Sequence, residues 1–245
     1  MRLTGLPVRF RCYSKKTIKY LKRYLPKDTP DDTEADFTID SRDIDLTQVS
    51  SDDLLTNPYN EYCYLIEAAT DVLMAANRCF FHGVAVVWKG KAWILTAPSG
   101  TGKSTQYRNL SELYGEKVFC LNGDKPGLEI CDEGVVRVYD SPWRGKEGWG
   151  TAGAAYPLAG IFFLKQAENN KIRKIMADEA VVPIYYQFFC SRSTVTICHQ
   201  LSHIEDALIG NIPVYLLENK GDLDSTRLMY QTIEKIYCEH SSSHN

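Results

Sequence analysis

The sequence predicts an α/β domain with a mixed sheet, preceded by a small N-terminal section, and three observations carry that prediction. An apolar strand at 92–96 runs straight into Ala97-Pro98-Ser99-Gly100-Thr101-Gly102-Lys103-Ser104-Thr105, and a helix-like stretch follows at 106–113. Strand, glycine loop and helix in that order, with the pattern A-x-x-x-x-G-K-S, form the local context of a phosphate-binding loop. Two pairs of short apolar runs, within 81–96 and 128–139, are joined by turn residues and read as hairpins. They place antiparallel strands beside the loop, which makes the sheet mixed. The length, 245 residues at 44% hydrophobic content, is enough to bury one large core without staples.

The bulk numbers exclude more than they assign. A net charge of -3 gives no sign of nucleic-acid or membrane binding. No apolar run approaches the roughly 20 residues that cross a bilayer. The N-terminus lacks an apolar core before a small-residue cleavage site, so a cytoplasmic protein is expected. The eight cysteines include no C-x-x-C pair, and free thiols in a reducing compartment are the simplest reading.

Element by element, residues 1–77 look unlike the rest. A strand is expected within 3–12. At 15–25, Ile18, Leu21, Tyr24 and Leu25 recur at helical spacing between basic residues, so a helix with a solvated basic face is expected. The acidic stretch 28–53 reads as loop with one strand near 36–44, and 61–77 as an amphipathic helix. From 78 to 240 the pattern tightens into a second unit. Strands are expected at 81–88, 92–96, 117–121, 128–130, 135–139, 161–164, 171–175 and 213–217, with 171–175 beside 161–164. Helices are expected at 106–113, 178–189, 194–209 and 225–238, and the polar tail 241–245 is expected to fray.

The glycine loop carries the chemistry. Gly100 and Gly102 permit a tight turn, and backbone N–H groups at the helix start point at an anion. Pro98, Ser99, Gly100, Thr101, Gly102, Lys103, Ser104 and Thr105 are therefore the candidate nucleotide-binding set. Lys103 would reach the terminal phosphates and the Ser104 hydroxyl would hold Mg²⁺. Asp124 ends the next strand, where an acidic metal ligand belongs, although an Asp before Lys125-Pro126-Gly127 also suits a turn. The loop 141–150 (SPWRGKEGWG) offers Arg144 and Lys146 to a transferring phosphate, and its glycines and two tryptophans suit a mobile flap. The same residues also suit a solvated basic loop whose tryptophans pack on the core.

Several motifs occur together and in order: Phe81-His82-Gly83, the run APSGTGKST, Asn122-Gly123-Asp124-Lys125-Pro126, and Ser141-Pro142-Trp143-Arg144-Gly145-Lys146. Pro157-Leu158 and Ile212-Pro213-Val214-Tyr215 complete the set. Over about 80–236 the chain resembles the bacterial HPr serine kinase-related proteins, which share a nucleotide-binding fold with phosphoenolpyruvate carboxykinase. The resemblance implies a P-loop domain of that type. It also implies an ATP- and Mg²⁺-dependent kinase acting on a serine hydroxyl of a protein or small peptide, and assembly into homo-oligomers as an option. In that family two adjacent Asp often follow the second strand, one as base and one as metal ligand. Here Gly123-Asp124 keeps only the second, so His82 or Glu147 would have to act as base.

Two alternatives stay open. Gly123 suits a nucleotide-binding module that performs no transfer. Asp124-Lys125-Pro126-Gly127 with Asn219-Lys220-Gly221-Asp222 imitates a GTPase set, but too little chain separates the loop helix from Asp124 for a switch segment, and no strand follows Asp222. His199 and His203, at i and i+4, lack a third ligand and read as ordinary helix residues.

Overall fold

In the computed structural model the described residues are 1–25, 34–43, 58–190 and 195–242. Most of the acidic stretch 28–53 and the end of the tail lie outside them. The N-terminal section forms a three-stranded sheet of β1 (Arg2–Leu3), β2 (Leu6–Arg11) and β3 (Phe37–Asp40), with β2 antiparallel to β1 and parallel to β3. The single strand expected at 3–12 is thus a hairpin, because Thr4 and Gly5 both take positive φ and reverse the chain. Helix α1 (Lys15–Lys22) starts where the Ser14 hydroxyl accepts from Lys16 N–H and Thr17 N–H. It buries Thr17, Leu21 and the following Tyr24, and leaves Ile18 and the lysines outside.

Helix α2 (Pro58–Met74) closes this section. Its Glu61 is buried, and its carboxylate accepts from Tyr13 N–H at 2.6 Å, Ser14 N–H at 3.1 Å and the Ser41 hydroxyl at 2.7 Å. A buried carboxylate satisfied this way fixes the start of α1 against α2. The apolar residues between the two helices and the small sheet include Leu3, Val8, Leu21, Leu65 and Leu73, joined by Phe80 and Trp143.

The remaining chain builds a large mixed sheet. Strand order runs β12 (Phe188–Phe189), β4 (Arg78–Phe81), β8 (Gly127–Ile130), β9 (Val136–Tyr139), β10 (Ala155–Gln166), β6 (Lys91–Thr96), β5 (Val84–Trp88), β7 (Val118–Asn122). The far half of β10 also pairs in parallel with β13 (Val214–Asn219), whose other edge takes β11 (Lys171–Ile175) antiparallel. The two expected hairpins form: β5 with β6 across Lys89-Gly90, and β8 with β9. Helices α3 (Lys103–Tyr114) and α6 (Leu223–Ser242) cover one face over Trp93, Leu95, Phe162 and Leu217. Helices α4 (Ala177–Tyr185) and α5 (Val195–Asn211) cover the other over Ile94, Ile161, Ile175 and Val214.

Three expectations are corrected. The apolar run 81–88 splits at His82-Gly83, where the chain leaves β4, paired to β8, and enters β5, paired to β6 and β7. The stretch 178–189 is helical only to Tyr185, and Phe188-Phe189 pairs with Phe81 and Phe80 of β4. Strand β11 is not the neighbour of β10, because β13 inserts between them. Parallel pairing of β13 against the apolar edge of β10 buries Leu217 fully, and β11, with three exposed residues of five, takes the outer position.

Candidate functional site

The glycine loop joins β6 to α3 at the end of the sheet. Gly102 stands at the helix cap with φ 109°, a conformation a side chain would strain, and its carbonyl accepts from Gln106 N–H at 3.0 Å. The Gln106 amide is buried and bonds Asn219 and Ser225, and it accepts from the Thr226 hydroxyl. That network locks the start of α3 to β13 and α6, so the loop is held by rigid elements on both sides. Thr101 Oγ1 donates to Pro98 O at 2.9 Å. Lys103 Nζ donates to Ala97 O at 2.8 Å and to Pro98 O at 3.2 Å, spanning the mouth of the loop. Pro98, Ser99, Gly100 and Thr105 are exposed, while Thr101, Gly102, Lys103 and Ser104 are half-buried.

Three further titratable groups lie within electrostatic reach of Lys103. His82, between β4 and β5, lies with Nε2 3.8 Å from Asp124 Oδ1. Lys125 Nζ donates to Asp124 Oδ2 at 2.6 Å. Burial pulls the His82 pKa below its ordinary value, Lys103 adds to the effect, and Asp124 opposes it. Burial likewise lowers the Lys103 pKa, against the raising influence of Asp124. His82, Lys103, Asp124 and Lys125 therefore form one electrostatically coupled cluster beside the loop. His82 and Lys103, both shifted, beside a carboxylate and a second ammonium mark a candidate functional site better than either alone.

The supports are two bonds to the His82 backbone and a buried amide beside Asp124. His82 N–H donates to Gln187 O at 2.7 Å, and the buried Thr96 hydroxyl donates to His82 O at 2.7 Å. Asn122 is fully buried, and its Oδ1 accepts from Asp124 N–H at 3.0 Å and Lys125 N–H at 2.8 Å. Its Nδ2 donates to Asp140 Oδ1 at 3.0 Å and to Ser141 O at 3.1 Å. Asp124 is thus aimed by Asn122, the first residue of the same motif, and Lys125 bonds its carboxylate in turn.

Gly123 has a steric reason. A Cβ there would lie 2.9 Å from Arg144 O and 3.3 Å from Trp149 O. A second aspartate at 123 has no room in this backbone arrangement, so a carboxylate base cannot occupy that place. His82 sets an imidazole 3.8 Å from one oxygen of the remaining aspartate, whose other oxygen is held by Lys125.

Of the two expectations for 141–150, a flap and a loop whose tryptophans pack on the core, Trp143 follows the second. Trp143 is only 2% exposed and packs on Phe10, Tyr62 and Phe80, inside the N-terminal section. Arg144 is not turned to the glycine loop. Its guanidinium pairs with the buried Asp140 and stacks over the Tyr24 ring at 4.3 Å. Burial raises the Asp140 pKa, and Arg144 opposes that rise. Arg144→Ala is expected to leave Asp140 buried without its cation and to destabilise the fold by about 3 kcal/mol. Urea unfolding checks this; unchanged stability with lost activity would return Arg144 to the reaction. Lys146 is exposed. Glu147 pairs with Arg108 of α3, so it is engaged on the loop helix and not beside His82.

The remaining sequence candidates resolve simply. Asn219 bonds Gln106 and the Lys165 and Leu217 carbonyls, and Asp222 caps α6 through Ser225 N–H at 2.8 Å. The imitation of a GTPase set is spent on the scaffold. His199 and His203 are exposed on α5. Cys12, Cys63, Cys79, Cys120, Cys131, Cys190 and Cys198 are free, and among the described residues no group of three His, Cys, Asp or Glu could hold a metal ion. Among them also, no helix is long and apolar enough to cross a membrane. Hydroxyl and carboxylate oxygens of the Ser104 and Asp124 kind suit a hard divalent cation that brings its other ligands with it.

No protein-family model matches the chain, and no curated protein does. Among solved structures, the Hpr(Ser) kinase/phosphatase from Coxiella burnetii is similar, with TM-score 0.40 and 13% sequence identity, over 67% of this chain and 96% of that one.

Proposed function

We propose that the chain is an ATP-dependent phosphotransferase of the serine-kinase kind, built on a phosphate-binding loop of the phosphoenolpyruvate carboxykinase-like type. Its acceptor is a hydroxyl on a protein or small peptide. The observation that carries this reading is the convergence of Lys103, His82 and Asp124 at the mouth of the glycine loop. The phosphates rest on loop amides of residues 98–105, and Lys103 follows the charge that develops on the terminal group.

The acceptor oxygen forms the new bond to the γ-phosphorus. The bond from that phosphorus to the bridging oxygen breaks, and its electron pair leaves with the diphosphate. His82 accepts the hydroxyl proton, and Asp124 stabilises the resulting imidazolium from 3.8 Å. The lowered His82 pKa keeps the ring neutral and ready at neutral pH. Ser104 and Asp124 are the residues that would hold Mg²⁺, which supplies neutralisation of phosphate oxygens.

Lys125 sets a condition on that ion, since its ammonium already holds Asp124 Oδ2. Both partners are about a quarter exposed, where an ion pair is worth up to about 1 kcal/mol. Lys125→Ala is expected to lower the Mg²⁺ concentration for half-maximal activity by about two- to fivefold. A titration showing no shift would mean that the pair does not compete with metal.

Gly123 favours a second reading, nucleotide binding without transfer, because no second carboxylate can enter. Incubation with γ-labelled ATP and serine-containing peptides, read by mass spectrometry, separates the two. A phosphopeptide or release of phosphate supports transfer, and tight ATP binding with neither supports the binding module.

A further inference from the structure

A cleft of about 390 Å³ opens beside the glycine loop, on the side away from Asp124. Pro98 and Thr101 of the loop form its near wall, Phe163 and Leu216 lie in its floor, and Glu179 and Pro183 of α4 face them. Its size falls within the range of small-molecule sites, about 300–1,000 Å³. Strand order explains its position. From one edge the strands run β7, β5, β6, β10, with β13 and then β11 beyond the far half of β10. Asp124 follows β7 and His82 precedes β5, so both reach the loop from one side of β6. The cleft is built from β10, β13 and β11, on the other side.

Register fixes the floor. Thr96, Phe163, Leu216 and Arg173 are cross-strand partners in a row over four adjacent strands, and such partners share a face of the sheet. At one end of the row, Thr96 Oγ1 donates to His82 O. At the other, Arg173 makes two hydrogen bonds to Glu179, at 2.7 and 2.8 Å, which tie β11 to α4 at the margin of the cleft. Between them the half-buried Phe163 offers an aromatic surface.

We propose that this cleft receives the nucleoside end of the nucleotide, with the base against Phe163. The proposal rests on the phosphate-binding role of the loop. A triphosphate whose terminal group meets Lys103, His82 and Asp124 lies across the loop, and its sugar and base then extend over Pro98 and Thr101 toward β10. A base stacks on an aromatic ring beside the apolar Leu216 and Pro183.

The test compares ATP with inorganic tripolyphosphate, which has the phosphates and no nucleoside. Calorimetry on the full chain should show ATP binding at least tenfold more tightly. In Phe163→Ala, and in the gentler Phe163→Leu, that advantage should shrink by about 5- to 150-fold while tripolyphosphate binding stays as it was. Unchanged tripolyphosphate binding also shows that the variants are folded. Equal binding of the two ligands to the parent chain, or an undiminished advantage in folded Phe163 variants, overturns the proposal. If neither ligand binds the parent chain, the phosphate role of the loop fails instead.

Discussion

Lys103→Ala is expected to lower kcat/KM for phosphate transfer by about 10²–10³-fold, the effect of removing one preorganised charge-stabilising donor. The ammonium is half-buried and already held at the loop mouth by the Ala97 and Pro98 carbonyls. It needs little reorganisation to meet an anion there. The same variant loses only two hydrogen bonds to loop carbonyls, at about 1 kcal/mol each, so it should remain folded. Steady-state kinetics beside a thermal melt checks both parts. Turnover within twofold of the parent chain would remove the glycine loop from the reaction.

His82→Gln is expected to cost about 10²–10⁴-fold in kcat, the range for a positioned base, with a smaller effect on nucleotide affinity. Its pH profile separates this from a structural defect. A base acts in its unprotonated form, and a pKa held below the ordinary value keeps that form populated to lower pH. The acid limb of kcat/KM in the parent chain should therefore have its midpoint below about 6.5. In His82→Gln that limb should vanish and leave a flat, low rate. A limb that survives unchanged in the variant would assign the titration to another group.

The stretch 92–113 was legible because its structure is local. An apolar strand, a turn that needs Gly102 and a helix, expected from 106 and beginning at Lys103, are specified by residues adjacent in sequence. The same holds for the β5–β6 and β8–β9 hairpins, whose turns lie within a few residues of their strands. Asp124 and His82 stand out in the sequence by residue type, and the fold sets their side chains 3.8 Å apart. Their supports do not stand out, since His82 is held by the Gln187 backbone, in a run that reads as helix, and the motif that contains Asn122 does not encode the bonds its buried amide makes. Arg144 and Trp143 misled for the opposite reason. A glycine-rich segment with a cation and an indole looks mobile in one dimension, and only the arrival of Tyr24, Phe10 and Tyr62 from the N-terminal section buries both.

The sequence by itself therefore determined the glycine loop, the elements flanking it and the residue types that gather there, because each depends on backbone preferences within one or two turns of chain. Tertiary structure alone decided that β13 enters between β10 and β11, that Gly123 excludes a second carboxylate, and that Lys125 engages Asp124 while Arg144 is drawn to Asp140. Those outcomes turn on steric room, burial and charge pairing between segments brought together only when the sheet closes, and no local periodicity encodes them.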